Sequence, residues 1–412
     1  MSLAIVKSLL LKTMKFLARL LAIFLIFLFV STPGHLAGRE VPRSDSPFPR
    51  FPDLEDSVEF WKLVFTQYSS SELIFFDPLD PTTIYKVLDA GSARRTRRLI
   101  RRERKKIYSE RGIDKNRVRV QRGVKEQFAL GLERSRSYLE QMQRIFQEEG
   151  LPIELAYLPL VESSFNTRAR SHAGAVGIWQ FMRSTGRRYL RINRRVDERR
   201  DPLESTRAAA WLLKENYELF GNWPLAITAY NHGRSGISRA IAKLASKDLA
   251  EIIRRYESRS FGFASKNFYA EFLAAVEVAE GAEEYFPELK YHRPFRLEEF
   301  ETGEAISVAT LLRGTDIPRK RFLEWNPALS PRIRIIPRGY RVKAPQEELP
   351  SLATAYREFT QTPIMRHRVT AGETLSEIAR RYRTSVRKIR DLNGIRRVHL
   401  INIGQILKVP RL

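Results

Sequence analysis

Glu162 has the clearest chemical potential of any residue in the chain. Gly150 stops the run in which Tyr138, Met142, Ile145 and Phe146 recur at helical spacing, and Pro suits a first turn, so a fresh helix is expected from Pro152. Within it Leu155, Leu158 and Glu162 lie at i, i+3 and i+7, which places the carboxylate on a face shared with two leucines. Such a face meets the core or a cleft. An apolar setting disfavours the ionised form and raises a carboxyl pKa, keeping a proton available for donation near neutral pH. A Glu that simply reaches solvent at a helix end is the competing reading.

Three stretches surround this residue in the sequence: Glu162-Ser163-Ser164-Phe165-Asn166, Gly174-Ala175-Val176-Gly177-Ile178-Trp179-Gln180-Phe181, and Ala229-Tyr230-Asn231-His232-Gly233. A groove that holds sugar rings needs Gly to admit the backbone and Gln, Asn and Tyr to supply oriented hydrogen bonds, and Gly177, Gln180, Tyr230 and Asn231 fit those needs. Trp179 and Phe181 read equally well as core. Ordinary glycosidases use two carboxylates, whereas these stretches offer only Glu162. Asp197, Glu198 and Asp201 are near in sequence, but Asp201-Pro202 before Leu203 has the chemistry of a turn and a cap.

In order and spacing the three stretches resemble the lytic transglycosylase family, whose pattern is a Glu-Ser pair, a Gly-x-x-Gly-aromatic/Met-Gln loop and an Ala-Tyr-Asn-x-Gly turn. The resemblance covers about residues 130 to 290 and extends to Asp197-Glu198-Arg199-Arg200-Asp201-Pro202 and Trp223. It implies a mainly α protein with a lysozyme-like, goose-type helical catalytic domain over 131–290. Glu162 would be the catalytic residue, and Ser163, Gly177, Gln180, Tyr230, Asn231 and Tyr269 would bind substrate, with no metal and no cofactor. It also implies the chemistry. Glu162 protonates the glycosidic oxygen between N-acetylmuramic acid (MurNAc) and N-acetylglucosamine (GlcNAc), then acts as base toward the muramyl 6-hydroxyl. That hydroxyl attacks its own C1 and leaves a 1,6-anhydromuramyl end.

Two positions depart from the family pattern. His232 stands where Ala is usual and reads as a tolerated substitution. Phe268 aligns with a family Tyr that orients the catalytic groups, so Tyr269 is the nearest replacement. An inactive peptidoglycan-binding scaffold and a hydrolysing lysozyme stay open beside the transglycosylase.

Helices are expected at Ser205 to Phe220 with Ser205 or Thr206 as N-cap, Pro224 to Tyr230, Ser235 to Leu244 and Phe268 to Ala279, and no strand-like alternation appears between 134 and 290. Beyond residue 290 two segments, Phe300 to Pro345 and His367 to Pro410, share a layout of strand, Gly-Glu turn, two helices and closing strand. The second resembles a LysM domain, a small α+β module (βααβ) that binds GlcNAc-containing chains. By position its groove residues would be Gly372, Thr374, Leu375, Asn393 and Ile395, of which Leu375 and Ile395 read equally as core. The first looks like a degenerate copy or a spacer, over 291–350, and the two are expected to be independent modules, the LysM domain over 364–412.

Composition bounds the remainder. The net charge of +25 favours a polyanionic partner, and the absence of cysteine excludes disulfides and thiolate chemistry. Lys7, Lys12, Lys15 and Arg19 precede an apolar run from Leu20 to Val30, which reads as a secretory signal, or as an anchor if Met14 to Ala18 joins it. Residues 1–30 are thus a signal peptide or membrane anchor, and the protein is expected to be exported and associated with periplasm, wall or membrane. Export removes nucleic acid as a partner. Peptidoglycan glycan strands are the expected ligand of a monomer, and the basic stretch from Arg94 to Lys106 is expected to meet anionic wall polymers or a membrane surface. Residues 39 to 57 read as a tether, and residues 31–130 as a tether followed by a basic helical region.

Overall fold

The computed structural model describes residues 46–91, 96–289, 296–395 and 401–410. The chain divides into a unit of residues 1–46, of which only Ser46 is described, and a unit of residues 47–412, which holds everything below. The apolar run at Leu20 to Val30, and Arg94 and Arg95, lie outside the described residues. No helix among the described residues is long and apolar enough to cross a membrane.

The fold is mainly α, with small antiparallel sheets at its two ends in sequence. Between 125 and 280 the elements are helices, and the isolated bridges at Arg170, Val176 and Ile192 form no strand. The helix Pro202–Phe220 shows how local chemistry sets its bounds. Asp201 caps it by accepting from the N–H groups of Leu203 and Glu204, Pro202 fills the first turn, and Gly221 ends it at φ +81°. Ser205 and Thr206, the expected caps, lie inside and bond the carbonyls of Asp201 and Pro202 at 2.5 and 2.6 Å. The other expected helices run longer than expected, as Trp223–His232, Arg234–Leu244 and Phe263–Glu280. At Pro152 the chain forms a 3-10 turn, Ile153–Tyr157, before the α-helix Leu158–Ser163, because Pro159 has no N–H to continue the ladder.

Two expectations for the N-terminal third are corrected. The stretch from Phe60 to Glu133 is only partly helical, since Glu72–Asp77 is the central strand between Asp80–Asp89 and Arg119–Arg122. Its Ile74 and Phe76 enter the main core while Leu73 and Phe75 enter a small core with Ile107 and Val118. A strand buried on both faces loses period-two alternation. The helix Thr96–Arg111 covers the sheet with Ile107 and leaves Arg97, Arg98, Arg101, Arg102, Lys105 and Lys106 exposed. Nor is the segment from Pro47 a tether. Phe48 is buried edge-to-face on Phe272 at 5.0 Å, and Arg50 pairs with Glu277 at 2.8 Å and Glu55 at 2.6 Å.

The C-terminal segments repeat in structure as in sequence. Asn326 donates to the carbonyls of Phe322 and Lys343 and accepts the Lys343 N–H. Asn393 does the same with Ile389 and Lys408. Each Asn clasps the end of a helix to the closing strand. Independence is corrected, however: Ile306, Phe322, Trp325 and Val342 belong to the main core. The Asp197 N–H donates to the Ala328 carbonyl at 2.8 Å, and Lys343 is buried against Asp201, Glu204 and Glu299 at 3.1, 2.9 and 3.5 Å. The following module keeps a core of its own, formed by Val369, Leu375, Ile378, Ile389, Leu407 and Val409.

Candidate active site

Glu162 occupies the last turn of Leu158–Ser163, half-buried. The chain then reverses through two successive left-handed residues, Ser164 at φ 49° and Phe165 at φ 52°, and the Phe165 N–H returns to the Pro159 carbonyl at 3.1 Å. Non-glycine residues in this region cost on the order of 1 to 3 kcal/mol each, so surrounding packing must hold them. Phe165 is buried, and the helix Lys125–Ser135 approaches so closely at Gly131 that a Cβ there would lie 3.1 Å from the Ser164 Cα.

The loop from Ala169 to Phe181 is held against this helix end. Ser163 Oγ donates to the Ile178 carbonyl at 2.8 Å, and Tyr230 Oη donates to the Trp179 carbonyl at 2.7 Å. Trp179 is buried, and its indole N–H reaches Thr206 Oγ1 at 2.9 Å, which settles it and buried Phe181 as core. Arg199, itself buried and paired with Asp197, donates to the Phe181 carbonyl at 3.1 Å. Gly177, at φ +82°, has a structural reason for being Gly: a Cβ would lie 1.8 Å from the Arg199 carbonyl oxygen. Gln180 is left at φ 48° with its Nε2 donating to the Gly177 carbonyl. The three sequence stretches are therefore one constellation. Ser163, Gly177 and the Tyr230 hydroxyl hold it together.

Asn231 is exposed at the end of Trp223–His232, and its Oδ1 accepts from Ser265 Oγ at 3.3 Å. The same hydroxyl meets His232 Nδ1 at 3.1 Å, and the imidazole stands edge-on to Phe261. His232 is thus half-buried and helps to orient Asn231 through Ser265. Tyr269 is corrected. It is fully buried, and its Oη donates to the Pro49 carbonyl at 3.0 Å, so it does not reach substrate. Phe268 is buried as well, because Phe263–Glu280 is packed on several sides. Asp201 is a cap and ion-pair partner, as its Asp-Pro context indicates.

Electrostatics single out the same place. Burial pushes the Glu162 carboxyl up to about 8. Burial, and then the Glu162 charge, raises Tyr230 well above its ordinary value. A carboxyl to which the sequence reading gave no role joins them. Glu271 is pushed up to about 8 by burial and then by Glu162. Its only sequence signal was an acid in an otherwise apolar helical run, Phe268 to Ala275. Arg199 was missed too, since an Arg in a charged turn reads as solvated.

In the C-terminal module, Gly372 is a turn residue at φ +81° and Thr374 caps Leu375–Arg381 in a capping box with Glu377. Leu375 is core and the Asn393 amide is consumed by its clasp, which corrects both as groove residues. Ile395 is half-buried against the same core. The exposed apolar side chains are instead Met365, Ile403 and Ile406. Two cavities lie away from Glu162: one of about 350 Å³ between Arg313, Phe359 and Lys388, the other of about 580 Å³ beside Pro47 and Trp223. Among the described residues no cluster of three His, Cys, Asp or Glu is placed to hold a metal.

The helical unit and its acid site carry a transglycosylase SLT domain, matched over residues 143–253. A LysM domain matches residues 367–410. The chain is homologous to membrane-bound lytic murein transglycosylase D of Escherichia coli strain K12, 28% identical over 271 residues that cover 61% of this chain and 58% of that protein. A candidate tributyltin chloride resistance protein of Alteromonas is 37% identical over 116 residues, covering 28% of this chain and 56% of that protein. The aligned region thus spans little more than half the length of these relatives.

Proposed function

We propose that this protein is an exported peptidoglycan lytic transglycosylase, a lyase that cleaves the MurNAc-β-1,4-GlcNAc bond and leaves 1,6-anhydromuramic acid ends in wall remodelling or turnover. The observation that carries this reading is one acid, Glu162, kept protonated by burial at a strained helix end facing the Gln180 loop. Glu162 acts first as acid on the glycosidic oxygen and then as base on the muramyl 6-hydroxyl. Gln180 Oε1, Asn231 and Tyr230 position the N-acetyl and hydroxyl groups. The LysM domain holds the polymer, and the exposed cations of Thr96–Arg111 meet anionic wall polymers or lipid head groups near the wall or the periplasmic membrane face.

Glu271 invites a second reading, a two-carboxylate hydrolase. A nucleophile or general base must be ionised, and a carboxyl pushed up to about 8 is mostly neutral at pH 7, which favours the single-acid route. Digesting purified sacculi and weighing the released muropeptides separates the readings. Anhydro products are expected. Hydrated reducing ends would establish a lysozyme, and no release a scaffold. Deleting residues 364–412 is expected to weaken sacculus pelleting by at least about tenfold, since a tethered second site raises effective concentration on a polymer. Unchanged pelleting would remove the glycan-binding role of the module.

A further inference from the structure

His232 ends the helix Trp223–His232 with its ring in a fitted seat. The imidazole lies edge-on to Phe261, 5.0 Å between ring centroids, and the helix Arg234–Leu244 closes on it at Gly236. A Cβ at 236 would stand 2.2 Å from the His232 Cδ2 and 2.4 Å from its Nε2, so only Gly admits the ring there. Nδ1, on the other side of the ring, meets the buried Ser265 hydroxyl at 3.1 Å. That hydroxyl holds a single proton and donates it to Asn231 Oδ1 at 3.3 Å, so toward His232 it can only accept. Nδ1 must therefore carry a hydrogen, whether the ring is neutral or charged. With Oδ1 engaged, the exposed Asn231 side chain keeps its Nδ2 hydrogens for another acceptor, and none is bonded to them among the described residues.

We propose that His232 is a positioning residue for Asn231: its Nδ1–H holds the Ser265 hydroxyl toward Asn231 Oδ1, and the fixed amide then donates from Nδ2 to an acceptor oxygen of the sugar. This rests on Asn231 binding substrate. The two ends of an amide have nearly the same shape, and without the relay Asn231 can turn over and offer the sugar an oxygen where a donor is needed. In that opposite network Asn231 donates to Ser265 and Ser265 to a bare Nδ1. The neutral ring then carries its hydrogen on Nε2, beside Gly236, where no acceptor is bonded to it among the described residues. The departure from the family pattern at His232 is therefore a working part of the sugar site rather than a tolerated substitution.

The test measures KM and kcat of the full chain on soluble, uncross-linked glycan strands, together with the 15N spectrum of the His232 ring at about pH 8. In His232→Ala, KM is expected to rise about five- to tenfold with kcat within about twofold of wild type, the signature of a substrate hydrogen bond lost equally from ground and transition states. Ala is usual at this position in the family pattern, so the variant is expected to fold. His232→Asn places an N–H the same number of bonds from the backbone as Nδ1 and should restore KM. Ser265→Ala should match His232→Ala, and the double variant should be no worse than either, because both cut one path. Burial, followed by Arg239, holds the imidazole below its ordinary value, so in wild type Nδ1 is expected to give the signal of a protonated nitrogen and Nε2 that of a bare one. A bare Nδ1, additive losses, no recovery with Asn, or an unmoved KM in His232→Ala would each overturn the relay. Asn231→Ala run alongside separates the failures: an unmoved KM there removes Asn231 from the sugar, whereas a raised KM there with an unmoved His232→Ala removes only the relay.

Discussion

Glu162→Gln is expected to lower muropeptide release by roughly a thousandfold, within the range attributed to one general acid/base group, while sacculus pelleting stays near the wild-type level. The amide keeps the shape of the side chain and cannot deliver a proton to the leaving oxygen. Wild-type release should itself decline as pH rises through about 8, where Glu162 loses the proton it donates. Stability provides an independent check. Between the ordinary value of 4.5 and about 8 the folded protein holds a proton on Glu162 that the unfolded chain has released, so folding is progressively disfavoured as pH climbs through that window. Gln carries no such proton. The variant should therefore melt several degrees above wild type near pH 8 and match it near pH 4, where both forms are neutral. Full activity in the variant, or a melting difference that does not depend on pH, would remove Glu162 from its role.

The site was legible wherever chemistry is local in sequence. Asp201-Pro202 declared a cap, Gly150-Leu151-Pro152 a helix restart, and the three stretches around Glu162, Gln180 and Tyr230 proved to be neighbours in space. What failed was long-range. Glu72–Asp77 is a strand because two other segments pair with it, and burial on both faces left no alternation to read. Tyr269 was assigned to substrate because Phe268 filled the expected position. Consecutive helical residues point about 100° apart, yet on a helix packed on several sides both directions are interior. Glu271 went unread for the converse reason: 109 positions separate it from Glu162, and only the packing of Phe263–Glu280 on Leu158–Ser163 brings their helices together. Asn393 showed the remaining limit. An Asn near a glycan groove and an Asn clasping a helix to a strand have the same sequence signature.

Lys343→Met should destabilise the protein by about 3 to 5 kcal/mol, the usual cost of stranding buried charge by removing one partner. Burial pulls the Lys343 ammonium down, but Asp201, Glu204 and Glu299 more than offset it and hold the pKa above the ordinary value. With the ammonium gone, Asp201 stays buried at 1% exposure with no cation, and Glu204 keeps only Arg207 and Arg341. A fall in the urea midpoint would show the loss, and it should shrink in a Glu204→Gln background, where less charge is stranded. An unchanged midpoint would mean that the four groups are bridged by solvent rather than buried together. The effect should also reach catalysis, although Lys343 touches no sugar. Asp201 caps the helix whose Thr206 hydroxyl receives the Trp179 indole, and Trp179 precedes Gln180 in the loop over Glu162. Release should fall in Lys343→Met even at temperatures where the protein remains folded. Deletion of residues 364–412, by contrast, leaves that chain of contacts intact, so release per bound enzyme is expected to survive it while pelleting weakens.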